Sequence, residues 1–185
     1  MTANKHFKRR VRERARRTGE SYTAALAALR RELARRQIMQ WQRIEKPDFG
    51  YAVRIPQGWD ERPPNLKNSP WETARFGDRT DRRHSAIVFR QPVRPADSAL
   101  ELAERARSSL EHNGFTDFDL AEAEVGGAPG AVLRCAKHDA GRSWHVIEYL
   151  RLDGEVVFCL GCGTSQPAED DELFTAMADG FELLG

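Results

Sequence analysis

The sequence predicts an α+β protein: an antiparallel sheet of about six or seven strands with helices packed on it, preceded by an N-terminal basic helical hairpin. Three observations carry that prediction. From Phe49 onward, apolar and polar residues alternate in short runs separated by Gly-, Pro- and Asp-rich turns, the pattern of half-buried strands joined by hairpins. Two stretches of the same region, after Asp97 and after Glu169, switch to helical spacing. Residues 5–36 are helical in pattern and intensely basic.

In the hairpin, Phe7, Val11 and Ala15 recur four residues apart and line one apolar stripe. Gly19 is the expected stop, because glycine takes a positive φ without strain. Ser21 then caps a second helix whose inner face is read as Tyr22, Leu26, Leu29 and Leu33. So few large apolar residues cannot build an independent core, so the hairpin is expected to dimerise, dock or fold on a partner. Ile38, Trp41 and Ile44 continue a three-residue spacing, read as a helix tail. The division into domains is accordingly 1–46, hairpin and linker helix, and 47–185, the α+β body.

Strands are expected over Tyr51–Ile55, Glu72–Phe76, Ser85–Val93, Phe118–Val125, Ala131–Lys137, Ser143–Leu152 and Glu155–Thr164. The prolines at 63, 64 and 70 make Asp60–Pro70 a surface loop. A helix capped by Asp97 or Ser98 runs to His112 with Leu100, Ala103, Ala106 and Leu110 inward. A last helix spans about Glu169–Leu183 with Leu173, Phe174, Met177 and Phe181 inward.

Charge is divided unevenly. The formal net charge is +1 over 185 residues. Residues 1–46 hold 14 Lys and Arg against Glu13, Glu20, Glu32 and Glu45, a net of +10; the other 15 basic and 24 acidic residues leave −9. Such a split suits a basic arm meeting an acidic partner, or lying on its own acidic body. No apolar run is long enough to span a bilayer, and the N-terminus has no apolar segment of a secretory signal. No membrane partner is expected, and the cytoplasm is the default location. Three cysteines, an odd number, agree with reduced thiols.

The pattern Y-x-V-x-I-P-x-G-W of Tyr51–Trp59 resembles the opening of the PsbP-like domains, including their bacterial LpqN and DcrB relatives. The resemblance continues through the helix after Gln91-Pro92-Val93, the Gly126-Gly127-Ala128-Pro129-Gly130 turn, and a closing strand and helix ending in Phe181. It covers about residues 49 to 184. It implies an antiparallel sheet sandwiched by helices, used as a binding or accessory module rather than an enzyme. Many of those relatives are exported or lipid-anchored, a pattern from which this chain departs in having no signal or lipobox. Separately, Arg17-Thr18-Gly19-Glu20-Ser21, Thr23 and the following Ala/Leu helix resemble the ribbon-helix-helix antitoxins of the VapB type. That resemblance implies a short strand at Thr2, Asn4 and His6 pairing between two protomers on DNA.

The candidate nucleic-acid-binding residues are Lys5, Lys8, Arg9, Arg10, Arg12, Arg14, Arg16, Arg17, Arg30 and Arg31. Arginine carries a permanent charge and a fork of donors that suit phosphate. Cys135-x-x-His138 and Cys159-x-x-Cys162 overlap zinc-ribbon spacing. Residues three apart in a strand face opposite ways, however, so structural thiols are the favoured reading. None of the remaining histidines, His6, His84, His112 and His145, has a Ser, Cys or acidic partner at a spacing that suggests a triad or a metal helix. Trp59 and Trp71 are expected to close one edge of the core. No catalytic residue and no cofactor is assigned. The reading is a non-enzymatic cytoplasmic accessory protein whose hairpin contacts nucleic acid or a ribonucleoprotein. The alternatives are a protein-interaction or chaperone-like module with the hairpin on an acidic protein surface, and an antitoxin-like dimeric DNA-binding regulator.

Overall fold

The computed structural model describes residues 3–26, 28–29, 40–94 and 98–185, and the side chains of residues 3–7, 9 and 10 are not among those described. The chain forms two compact units, Met1–Gln40 and Trp41–Gly185.

In the first unit, helix α1 (Ala3–Thr18) ends where Gly19 takes φ +71, its N–H donating to the Ala15 carbonyl at 3.0 Å. Helix α2 (residues 22–26 and 28–29) starts under Ser21, whose Oγ accepts from the Ala24 N–H at 3.2 Å. Val11 and Ala15 pack against Ala25, Leu26 and Leu29. Two expectations are corrected here. Tyr22 is exposed, and Ala25 takes the inward position in its place, because the close approach of α1 favours a small side chain. Asn4 and His6 lie inside α1, so their alternation is not a strand pattern; the Phe7–Val11–Ala15 spacing carries the helix back to Ala3. Leu33 and residues 30–39, including the first part of the expected helix tail, lie outside the described residues.

The second unit is a sheet covered on both faces. Its seven strands run in the order β3 (Trp59–Arg62), β4 (Glu72–Asp78), β5 (His84–Pro92), β9 (Val156–Thr164), β8 (Arg142–Asp153), β7 (Ala128–Asp139) and β6 (Thr116–Val125). All neighbours are antiparallel. A smaller sheet joins β1 (Trp41–Lys46), β2 (Tyr51–Pro56) and β10 (Glu182–Leu183). Helix α3 (Ala99–His112) packs Leu102 and Ala103 on Leu133, Leu150 and Val157. Helix α4 (Pro167–Asp179) and the small sheet bury Phe174, Met177, Tyr51, Val53 and Ile55 against Phe76, Val88, Tyr149, Phe158 and Leu160. Tyr51 stacks on Phe181 with ring centroids 5.5 Å apart.

Trp41–Lys46 is a strand where a helix tail was expected. It pairs along its whole length with β2, and the Arg43 guanidinium donates to Glu182 on β10 at 2.9 Å. Cross-strand pairing overrides the three-residue apolar spacing. Residues 60–62, expected as the start of a loop, continue the strand begun by Trp59 and pair with β4. Leu102 replaces Leu100 on the inner face of α3, leaving Leu100 exposed. Ser98 rather than Asp97 caps that helix, through a reciprocal bond with Glu101. The final helix stops at Asp179; Phe181 keeps its core position from the chain beyond, and Leu183 belongs to β10.

Candidate functional site

On α1, Lys8, Arg12 and Arg16 fall four residues apart on one ridge beside the packed ridge of Val11 and Ala15. Successive cations on such a ridge stand about 6 Å apart along the axis, near twice the 3.4 Å axial charge repeat of one DNA strand. Lys8, Arg12, Arg16 and Arg17 are exposed and have no carboxylate partner among the described residues. Arg14 is different: its Nε donates to Glu20 Oε1 at 2.8 Å, and the same oxygen accepts from Thr18 Oγ1 at 2.8 Å. That bond closes the Gly19 turn and takes Arg14 out of the outward set. The side chains of Lys5, Arg9 and Arg10, and Arg30 and Arg31 altogether, lie outside the described residues. The described part of the candidate site is therefore a row of three cations, Lys8, Arg12 and Arg16, with Arg17 about 100° further round the same helix.

The thiols and His138 do not converge. Cys162 sits in the core beneath α4, Cys159 packs on the α3 face, and Cys135 is buried on β7. Burial pushes the Cys135 thiol up to about 12 and raises Cys159 and Cys162 as well, so all three stay protonated at neutral pH. Among the described residues no group of three or more His, Cys, Asp or Glu side chains is arranged to hold a metal ion.

His138 and His84 both have acidic partners across the fold, and the contact of His84 joins residues that no sequence spacing relates. His138 Nδ1 lies 2.8 Å from Ser143 Oγ, and its Nε2 lies 2.7 Å from Asp117 Oδ2. Ser143 stands directly across from His138 in the β7–β8 register, which the Asp139-Ala140-Gly141 turn sets. The side chains of His138 and Asp117 are 51% and 66% exposed, so water competes for every bond in the chain. The arrangement braces the bulged start of β6 against β7.

The second is buried. His84 stacks on Trp59 at 4.8 Å, and its Nδ1 faces Asp170 Oδ2 at 3.4 Å. That carboxylate oxygen also accepts from Thr164 Oγ1 at 2.6 Å, and Oδ1 lies 3.5 Å from Arg83 Nη2. Burial opposes the Asp170 charge, but the bonds from His84 and Thr164 and the charge of Arg83 outweigh it and hold the carboxyl below its ordinary value. The cluster joins β3, β5 and β9 to the first turn of α4. Trp59 thus closes the core as expected, whereas Trp71 is exposed.

Glu148 lies on β8 between Leu133 of β7 and Gly161 of β9. Burial pushes its carboxyl from 4.5 up to about 7. A raised acid binds its proton more tightly in the folded state, so stability declines as pH climbs from about 4.5 to about 7 and levels off above. Glu148→Gln is expected to flatten that slope and to raise stability at pH 8 by about 1–2 kcal/mol. Thermal melts between pH 5 and 8 check it; parallel profiles for the two proteins would contradict the account.

No family model and no curated protein sequence matches the chain. Solved structures do. The cyanobacterial PsbP (CyanoP) of Synechocystis sp. PCC 6803 superimposes with a TM-score of 0.58 at 14% identity, over 79% of this chain and 94% of that one. The Ran-binding protein Mog1p of Saccharomyces cerevisiae gives 0.57 at 14% identity, over 79% and 96%. LpqN of Mycobacterium tuberculosis, involved in cell envelope biogenesis, gives 0.52 at 14%, over 80% and 92%. No helix among the described residues is long and apolar enough to cross a membrane. With its antiparallel sheet held between α3 on one face and α4 with a small second sheet on the other, the body of this chain has the PsbP-like, LpqN-like fold.

Proposed function

We propose that this is a non-enzymatic accessory protein of the cytoplasm, whose PsbP-like body docks on protein and whose α1 ridge contacts nucleic acid or a ribonucleoprotein. The observation that carries the nucleic-acid half is the row Lys8, Arg12 and Arg16 with Arg17 beside its end, all exposed on one helix without a carboxylate partner among the described residues. Such a row supplies phosphate contacts, which bring affinity and salt dependence without reading bases. The fold similarity to Mog1p, a Ran-binding protein, and to CyanoP supports an accessory or protein-docking role for the body. The described Ser143–His138–Asp117 chain is open to water, which supports leaving catalysis out.

Four phosphate contacts predict a slope of about −3.6 in log affinity against log salt, roughly a hundredfold loss between 50 and 200 mM. The combined variant R12Q/R16Q/R17Q is expected to bring the slope to about −1 while leaving the fold intact, since all three side chains are exposed. Anisotropy with labelled single- and double-stranded RNA and DNA reads both. Affinity that ignores salt, or a variant that binds as the parent does, removes nucleic acid. An acidic protein captured by the parent but not by the variant would then move the ridge to the protein-interaction reading.

A further inference from the structure

The two edges of the seven-stranded sheet are unlike. Strand β3 is four residues long and already engaged: the Trp59 carbonyl accepts from Gln42 Nε2 at 2.8 Å, Glu61 pairs with Lys46, and Asp60 pairs with Arg79. Strand β6 is ten residues long, and among the described residues β7 is its one strand neighbour. Alternate backbone N–H and C=O groups of β6 therefore point away from the sheet, available to another strand.

Inward of that edge, on the α3 face over β6, β7 and the end of β8, lies a groove of about 700 Å³. Leu100, Ala99, Leu152 and Pro129 form its apolar walls, and Glu122 and Glu124 of β6 stand at its rim. Leu100 is 40% exposed, the one large side chain of α3 turned out of the core into this groove. The neighbouring helix N-terminus is not an anion site, because Ser98 and Glu101 already cap each other there.

The charge selects the occupant. Glu122 and Glu124 share the α3 face of β6, are exposed and have no ion-pair partner among the described residues; Asp119, also exposed, lies on the opposite face. Carboxylates along an edge repel a second copy of the same edge, which guards against self-pairing. The same row attracts a strand carrying lysine or arginine. We propose that the β6 edge and its groove bind an extended basic segment of a partner protein by strand addition. Lysine or arginine at every second residue faces Glu122 and Glu124, with the alkyl stems directed across β6 toward Leu100 at the near wall of the groove. The inference deepens the protein-docking half of the proposed function, rests on that half, and does not involve the α1 ridge.

The test uses the full-length protein and a fluorescein-labelled heptapeptide alternating lysine and valine, read by anisotropy. Its glutamate-for-lysine twin and a version N-methylated at every second residue serve as comparisons. The lysine peptide is expected to bind and the glutamate twin not to. The variant E122Q/E124Q is expected to weaken binding about tenfold, two rim charges at a few-fold each, and L100S to weaken it several-fold. N-methylation, which removes backbone donors, is expected to weaken it at least about tenfold. Binding by R12Q/R16Q/R17Q should match the parent, so a failed ridge and a failed edge give different results. No binding of the lysine peptide overturns the proposal. So does binding unchanged in E122Q/E124Q or undiminished by N-methylation, the last showing attraction without strand addition.

Discussion

Gly126→Ala is expected to cost about 3 kcal/mol or more of stability. Gly126 opens the β6–β7 turn at φ +59, where an L side chain is strained before packing is considered. A Cβ added there would stand 1.8 Å from the Phe181 carbonyl oxygen and 2.9 Å from its carbon, both backbone atoms. The turn cannot simply retreat. The Gly126 N–H donates to the Ala178 carbonyl at 2.9 Å, and the Gly126 carbonyl accepts from Arg151 Nη1 at 3.2 Å. Phe181 cannot retreat either, since its ring fills the core against Tyr51 and Phe158. Gly127→Ala is the comparison: φ is +72, but nothing lies within 4 Å of the added carbon, so about 1 kcal/mol of backbone cost is expected. Urea melts of the two variants decide. Equal losses would show that close contact between the turn and the chain after α4 is not what matters.

Asp170→Asn is expected to lose about 2–4 kcal/mol at neutral pH. The substitution keeps the shape and removes the charge that Thr164 Oγ1, His84 and Arg83 all address. Because the folded carboxyl lies below its unfolded value, its contribution is fully present above pH about 4. That contribution is lost as pH falls through the folded value. The gap between parent and variant in chemical denaturation should therefore be widest near neutrality and shrink below pH 4. A gap that stays constant to pH 3 would mean that the amide fails for steric reasons alone. Trp59 gives a built-in reporter, since its indole stacks on His84. Its fluorescence should change in the variant even under conditions where the protein stays folded.

The cation ridge was legible because helical spacing alone fixes which residues share a side: Lys8, Arg12 and Arg16 follow from their numbers. Arg14 was not separable from them in the sequence, since its bond to Glu20 depends on the left-handed Gly19 bringing the chain back. His138 and Ser143 were within reach, because a hairpin closing at Asp139-Ala140-Gly141 makes them cross-strand partners. His84 and Asp170 were not: 86 residues separate them, and no local pattern announces the contact. The groove over β6 was hidden by taking Leu100 for Leu102, two positions along, on the inner face of α3. Leu100 and Leu102 both fit an apolar stripe, and only the sheet below shows which one it accepts.

The sequence by itself determined the fold class, strands β2 and β4 to β9, the capping of α3, the Gly19 stop and the concentration of positive charge in front of an acidic body. These are consequences of spacing, turn chemistry and composition, which act over a few residues. The tertiary structure alone decided that Trp41–Lys46 is a strand, that β2 leaves the main sheet for a second one, and that α4 ends at Asp179. It also decided which edge of the sheet has no further strand beside it among the described residues. Each of those depends on which distant backbone groups find partners, and hydrogen bonds between remote segments leave no periodic trace in the chain.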